Sequence, residues 1–521
     1  MIGNVDLGSG VNAFNNLSNS TFQTLDYVKL GGGVLSNDGA ITPGGLGVVQ
    51  ATAVNGSLKQ SATGIIFADL DLNRTELSGE IDSLTFTEAA DVQGTFVLNV
   101  LNPAHITPGD HTASIIHANG LLSASNLSLM NAPDSAVATF TLKPTDHDLS
   151  LNYVVDFSPE GFVLTGNQGA VADYVSAILA AGETAQFAPI AKHIFSISNV
   201  EDLAAYYTQL VSEPMLSPLV SNLFAGDFLN GAMLSCRMQD GGSFRFLDEG
   251  QCTWFQASPR RIERELSTGL SSDEDLTTVS AGSQVVVTNN LRLGVSLGYQ
   301  NSSLEVGNAL RSNGNRGMAG LSMKYVSDPI LAALTLTGGF GTTDSARFVA
   351  GAIATSRQET KFASSQFRLA TQLVRENFYI RPLVDVAGGA AWLDGFQEQG
   401  AGPLSLIVDD TCYTYATVTP AIEVGGEIAV YGTSVVCPFA RIGMTQFLTG
   451  NRQAIAASFA GAPAGVSPFI NTTTLDSTLA TIDVGVDLLN AGRTAARIDY
   501  SFQYGERTKA HGLTLKLSTS W

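Results

Sequence analysis

The sequence predicts an all-β protein in three parts: a parallel β-helix or solenoid over 1–165, a short helical linker over 166–235, and a 12-stranded antiparallel transmembrane β-barrel over 236–521. Three observations carry that expectation. Gly, Asn, Ser, Thr and Asp interrupt short apolar runs every few residues in the first part, and helical spacing replaces that pattern in the second. Alternation of apolar with polar residues recurs in segment after segment of the third.

Taking the elements in order, turn-rich stretches at 12–19, 31–33, 37–47 and 55–64 separate short strands. That density is expected of stacked coils, in which each coil buries its inward residues on the next. An ordinary β-sandwich is the alternative, because no clean period is visible. Val171, Tyr174, Val175, Ile178 and Leu179 then follow helical spacing, as do Leu203, Tyr206, Tyr207 and Leu210. Residues 216–234 read as a further helix of small and apolar residues, too polar to face lipid, with Gly226, Asp227 and Gly231 as weak points.

In the third part Leu291, Leu293, Val295, Leu297 and Tyr299 alternate with Arg292, Gly294, Ser296, Gly298 and Gln300. Ile498, Tyr500, Phe502 and Tyr504 alternate with Arg497, Asp499, Ser501 and Gln503 in the same way. Strands are expected at about 252–265, 275–288, 291–304, 315–327, 330–341 and 360–374, then at 377–391, 414–430, 435–447, 476–489, 493–504 and 510–521. Tight joins at 289–290, 328–329, 375–376, 431–434 and 490–492 alternate with long joins at 266–274, 305–314, 342–359, 392–413 and 448–475; only 505–509 breaks the contrast. Tight turns on one side and long loops on the other is the outer-membrane barrel arrangement, and closure satisfies every backbone donor without water.

Composition sets the bounds. With 521 residues, 44% hydrophobic and 14% charged, the chain can bury several cores and is not a disordered tail. Its formal net charge is −20, and residues 1–235 hold 5 Lys and Arg against 22 Asp and Glu. A chain this acidic, without a basic stretch, is a poor binder of phosphate backbones, so nucleic acid is set aside as a partner. No run of 18 apolar residues is present, so no transmembrane helix can be drawn. Residues 1–30 lack a basic start followed by an apolar core; if the protein is exported, a fragment or a misplaced start is expected.

At this point the chain resembles a monomeric autotransporter, one of the type V secretion proteins of Gram-negative bacteria. The last nine residues alternate apolar with polar and stop on an aromatic, and the row Leu513, Leu515, Leu517 and Trp521 looks like the family's barrel-assembly signal. Cys236 and Cys252, followed by Trp254, are similar to the two-cysteine link that many members carry between pore helix and first strand, which implies a disulfide in the oxidising periplasm. Residues 77–162, with Asp82, the run 92–100, 111–120 and 156–164, look like the solenoid end that helps passengers fold, and 1–70 look like passenger repeats.

The resemblance implies a barrel that sits in the outer membrane and exports its own N-terminal β-helical passenger to the cell surface, with the helix of 216–234 left in the pore as a plug. It implies as partners outer-membrane lipid, the barrel-assembly machinery and periplasmic chaperones, and it implies a monomer without cofactors. The chain departs from the family in its short passenger and in lacking a close match to the acidic and asparagine constellation that some members use to cut themselves in the pore. A tethered passenger is therefore expected.

No HExxH, GxxxxGK[ST] or paired-cysteine metal motif occurs, so no enzyme is expected, and a non-catalytic, adhesin-like passenger follows. The alternative is the carrier portion of a surface protease or esterase whose catalytic region lies upstream. A diffusion porin is disfavoured by the acidic repeat and helix ahead of the barrel. His105, His111 and His117 would share one face of a strand, too far apart for one metal. Asp69 and Asp71 could act together as acid and base, a reading outweighed by a solvated acidic face. On the polar face of the barrel lie Arg292, Lys324, Arg381, Asp385, Arg441, Asp483, Asp487, Arg497, Asp499 and Lys516. They either grip the helix or pair among themselves and with water. Cys412 is expected near the outer rim and Cys437 near the inner one, beyond disulfide reach.

Overall fold

Parallel pairing organises the first 130 residues. In one row Val5, Val28, Val54, Phe86 and Ala118 lie in register on successive strands, and all five are buried. A second row carries Phe14, Leu35, Leu58, Ala90 and Leu122, and a third Phe22, Ile41, Ile66, Phe96 and Leu129. These rows are parallel, not the antiparallel hairpins of a sandwich. The chain between stacked residues lengthens along a row, from Val5–Val28 to Val54–Phe86, which is why no fixed period shows in the sequence.

Polar side chains stack inside as well. Asn16 donates to the amide oxygen of Asn37 at 2.7 Å, Asn37 to that of Gln60 at 2.9 Å, and Gln60 to the carbonyl of Gln93 at 2.6 Å. The parallel sheet ends on an antiparallel one, where Gly109–Ala118 pairs with Asp148–Val155 and that strand with Ala138–Pro144.

The computed structural model describes residues 1–73, 80–159, 164–182, 185–236, 250–429, 434–490 and 493–521. Residues 237–249 between Cys236 and Cys252, parts of the tight turns expected at 431–434 and 490–492, and residues 77–79 and 160–163 of the expected folding segment lie outside them. The chain forms two units, Met1–Leu164 with Val171–Tyr207 and Gly461–Ser467, and Thr165–Ala170 with Thr208–Ala460 and Pro468–Trp521. The expected helices are shared between them: α1 (Gly166–Ala180), α2 (Ala188–Phe195), α3 (Val200–Leu210) and α4 (Ser217–Met233). Within the first unit the periodic residues Val171, Tyr174, Val175, Ile178 and Leu179 are buried, and Tyr207 donates its hydroxyl to the carbonyl of Phe157.

The second unit is built on twelve antiparallel strands. They are β1 (Cys252–Glu265), β2 (Ser271–Val286), β3 (Leu291–Val306) and β4 (Leu310–Ser327), followed by β5 (Ile330–Val349) and β6 (Ala352–Thr371). The rest are β7 (Phe378–Leu393), β8 (Thr411–Gly426), β9 (Ser434–Thr449), β10 (Thr478–Asn490), β11 (Thr494–Tyr504) and β12 (Thr508–Thr519). Each pairs with the next, and β12 pairs with β1, so the sheet closes. Leu293, Val295, Leu297 and Tyr299 are exposed on the outside of β3 while Gly294, Ser296 and Gln300 turn inward. No described helix is long and apolar enough to cross a membrane; strands do the crossing.

Three joins expected to be long are short. β3 ends at Val306 and β4 begins at Leu310, β5 ends at Val349 and β6 begins at Ala352, and β2 begins at Ser271. Above Tyr299 the outward residues of β3 become Asn301, Ser303 and Glu305, so the apolar row stops while backbone pairing continues. The joins that stay long carry a separate four-stranded sheet, Phe396–Gln397, Leu406–Val408, Arg452–Phe459 and Phe469–Thr474.

Asp82 makes the first unit sensitive to pH. Its carboxyl is buried and accepts the N–H groups of Gln50 at 2.7 Å and Asp69 at 3.0 Å. Burial pushes it up to about 8, which those two donors only partly offset. A carboxyl raised on folding contributes stability that is full below its ordinary value and is lost as the pH rises toward 8. The melting temperature of the first unit in the intact chain, followed by circular dichroism, should fall between about pH 4 and pH 8, the span from the ordinary carboxyl value to the raised one. Asp82→Asn should flatten that slope.

Candidate functional site in the barrel lumen

α4 lies inside the barrel, and the wall beside it is made of small residues. A Cβ at Gly226 would come within 2.7 Å of the Ser364 hydroxyl on β6, and one at Gly320 on β4 within 2.7 Å of the Met233 methyl. Asn230 donates to Ser364 at 3.4 Å. Gly226, Asp227 and Gly231 do not weaken the helix, which runs through all three. Gly226 is there because the helix touches the wall at that point.

The two ends of α4 are held differently. Ahead of it, in the turn Glu213–Leu216, the buried Glu213 carboxylate accepts the N–H groups of Ser267 at 2.7 Å and Thr268 at 3.1 Å, in the join between β1 and β2. Ser212 donates its N–H to Asn471 at 2.7 Å, and Arg264 donates to the Ser217 hydroxyl at 3.2 Å. One turn on, Ser221 donates to Glu274 at 2.6 Å and accepts from Arg316 at 2.9 Å. At the other end Lys516 donates to the carbonyls of Ala232 and Ser235, Arg497 donates to the Ser235 hydroxyl at 3.2 Å, and Cys236 is joined to Cys252 by a disulfide.

Across the lumen from the small-residue wall lies a cavity of about 270 Å³ lined by charge. Arg368 makes two 2.7 Å bonds to Asp385, Arg381 bonds Glu423 at 2.7 Å, Arg441 bonds Asp483, and Arg497 bonds both oxygens of Asp487. Asp227 of the helix and Asp499 of β11 face the same space. Of the lumen residues named from the sequence, then, Arg381, Asp385, Arg441, Asp483 and Asp487 pair across neighbouring strands, and Arg497 and Lys516 reach the helix. Arg292 turns back to the carbonyl of Asn289 at 3.0 Å, and Lys324 is fully buried.

Sequence reasoning missed Arg264, Glu274 and Arg316. Charges on both faces of 259–265 hide the inward row of β1, and Glu274 falls in a stretch read as a join. The only signal was parity: Arg264 keeps the inward spacing of β1, and Glu274 keeps that of β2 once the strand is extended back to Ser271.

The other candidates lie elsewhere. Asp69 is buried and accepts from the N–H groups of Gly47 and Val48 and from Asn99, while Asp71 accepts from Asn73 and Asn102, so the two do not act on a common point. A bulge between Ser114 and Ile116 breaks the face that His111 and His117 were expected to share: His111 stacks on Tyr153 and His117 bonds Asp148 at 2.8 Å. Among the described residues no group of His, Cys, Asp and Glu could hold a metal ion. Cys412 is exposed and Cys437 buried, and the two are not joined to each other. Leu513, Leu515, Leu517 and Trp521 form one outward row, and the Trp521 indole donates to Thr253 at 3.2 Å.

A closed twelve-stranded barrel with an apolar outside and a polar, helix-filled lumen is an outer-membrane transport barrel. Residues 253–501 match the family described as the autotransporter beta-domain, so the chain carries the outer-membrane barrel of an autotransporter, a transport domain and not a catalytic one. Among solved structures it is similar to the translocator domain of the autotransporter NalP from Neisseria meningitidis, with 12% identity, a TM-score of 0.45, and 52% of this chain and 89% of that one covered. It is also similar to the β domain of the Bordetella autotransporter BrkA, with 15% identity, a TM-score of 0.42, and 52% and 100% covered. The transport unit of AIDA-I from Escherichia coli follows with 10% identity, a TM-score of 0.40, and 54% and 93% covered. No curated protein matches the chain in sequence.

The end of β5 and the chain beside the four-stranded sheet meet at a buried ion pair. Arg347 bonds both oxygens of Glu398 at 2.9 and 2.6 Å and also donates to the carbonyls of Gln209 and Leu404. Glu398→Gln would leave the guanidinium buried without its counter-charge and should cost about 3–5 kcal/mol. The temperature at which the barrel loses its compact mobility on gels should drop accordingly.

Proposed function

We propose that this protein exports its own N-terminal unit to the surface of a Gram-negative cell and keeps it tethered there, with α4 left in the pore as a plug. The first unit is the passenger, a parallel β-helix with an antiparallel end that aids its folding, and it acts without catalysis, as an adhesin-like surface. The observation that carries the reading is the direction of α4. Its start is bonded to the joins at 266–270 and 471, on the side that carries the two long joins, β7 to β8 and β9 to β10, and its end to β12 and Cys252. In outer-membrane barrels the long loops face outward and away from the periplasm, so chain upstream of α4 emerges outside. The 17 residues of α4 span about 26 Å, close to the hydrocarbon thickness. The protein works as a monomer, in lipid, after delivery by periplasmic chaperones to the assembly machinery, and needs no cofactor.

Deleting residues 216–234 should raise the small-ion conductance of the purified barrel; unchanged conductance would refute the plug. Should the deletion fail to assemble, oxidation of the double variant Asn230→Cys, Ser364→Cys should cross-link helix to wall. Protease added to intact cells should remove the first unit and spare the barrel, and a protected first unit would refute surface display.

Trp521 ends the row that the assembly machinery reads. Trp521→Asp should lower the amount of heat-modifiable protein in the outer membrane several-fold, while Trp521→Phe should be tolerated. Normal levels of the Asp variant would reduce the indole to an interfacial anchor.

A further inference from the structure

Of the twelve neighbouring pairs in the barrel, β12 with β1 alone joins strands that are not consecutive in the chain. Its ladder is also interrupted. Pairs run from Thr253–Thr519 to Ala257–Leu515 and from Arg260–Gly512 to Arg264–Thr508, with none at Ser258 and Pro259. Those two residues do pair with β2 on the other side, so the gap belongs to the seam. Proline has no N–H to give to a ladder.

The residues that follow α4 straddle this seam. Cys236 is bonded to Cys252 at the start of β1. Lys516 of β12 donates to the carbonyl of Ala232 at 2.8 Å and to that of Ser235. Carbonyls at the end of a helix carry partial negative charge and have no partner within it, so a buried ammonium there is well placed. The same ammonium lies 4.6 Å over the ring of Trp254, which is on β1. Arg497 of β11, held by Asp487 of β10, adds a bond to Ser235.

We propose that the end of the pore helix is a clasp across the barrel seam, with Lys516 as its positioning residue. One strand of the seam is tied to the helix end covalently and the other through Lys516, so helix seating and barrel closure stabilise each other. This rests on α4 being the plug. Because the two ties act on one short segment, losing either leaves the other in place, and losing both leaves the segment held only by the single bond from Arg497.

The test uses full-length protein purified from outer membranes, comparing Lys516→Met, Lys516→Arg, Cys236→Ser with Cys252→Ser, and their combinations. Lys516→Met and loss of the disulfide should each raise the frequency of spontaneous channel openings modestly. Together they should raise it beyond the product of the single effects by about tenfold, the weight of one hydrogen bond to a charged group. Lys516→Arg should restore the closed behaviour. Arg368→Met, which breaks an ion pair on the β6–β7 wall, should combine with loss of the disulfide without any such excess. If Lys516→Met does not assemble, reducing the disulfide of the assembled Lys516→Arg and parent proteins keeps the comparison, and both should open only modestly more often. Independent effects of Lys516→Met and the disulfide, or frequent opening of the reduced parent, would overturn the clasp. The plug reading fails separately, through unchanged conductance on deletion of the helix.

Discussion

A strand in hydrocarbon has no water to satisfy its backbone, and every other feature of the barrel depends on that constraint. Twelve strands meet it by closing on themselves, so that no edge faces lipid. Period-2 alternation follows, because each side chain must choose between lipid and lumen. Closure also creates a space, and a lumen wide enough for twelve strands is too wide for side chains alone to fill. α4 occupies part of that space, and charged pairs with a cavity occupy the rest.

The lumen is asymmetric for a packing reason. Backbone can approach backbone only where side chains are small, and β3 to β6 present Gly298, Gly320 and Ser364 to the helix. From β7 to β12 long charged side chains line the cavity beside the helix, and at the helix end Lys516 and Arg497 reach across to it. Arginine and carboxylate taken from bulk water lose hydration that the cavity and a close partner must replace. The bidentate bonds of Arg368 with Asp385 and of Arg497 with Asp487 supply such partners, and orient both groups across neighbouring strands.

The first unit solves its own version of the problem without lipid. Its rows bury Val, Leu, Ile and Phe on one another, and the buried amides of Asn16, Asn37 and Gln60 face each other on successive strands. Asn16 bonds the amide of Asn37 and Asn37 that of Gln60, and the backbone carbonyls of Ala40, Ile65 and Gln93 accept from the same three side chains, so the buried row avoids a large desolvation cost.

The sequence by itself determined the number of barrel strands, which side chains face out, and that a helix of about the right length precedes them, because those properties follow from local periodicity. β1 begins at Cys252 and ends at Glu265 as its alternation indicates. Where the outer row turns polar, as at Asn301 and Glu305, alternation loses its contrast, and only pairing with β4 shows that β3 continues. Tertiary structure decided the rest. Which arginine meets which carboxylate depends on register between strands, so Arg381 with Glu423 and Arg441 with Asp483 could not be matched from spacing within a strand. That Gly226 is a contact and not a break depends on Ser364, 138 residues further along the chain. The lengthening connections between Val5, Val28, Val54 and Phe86 hide a regular stack from any search for a period, because the stacking lies between strands while the variation lies in the turns.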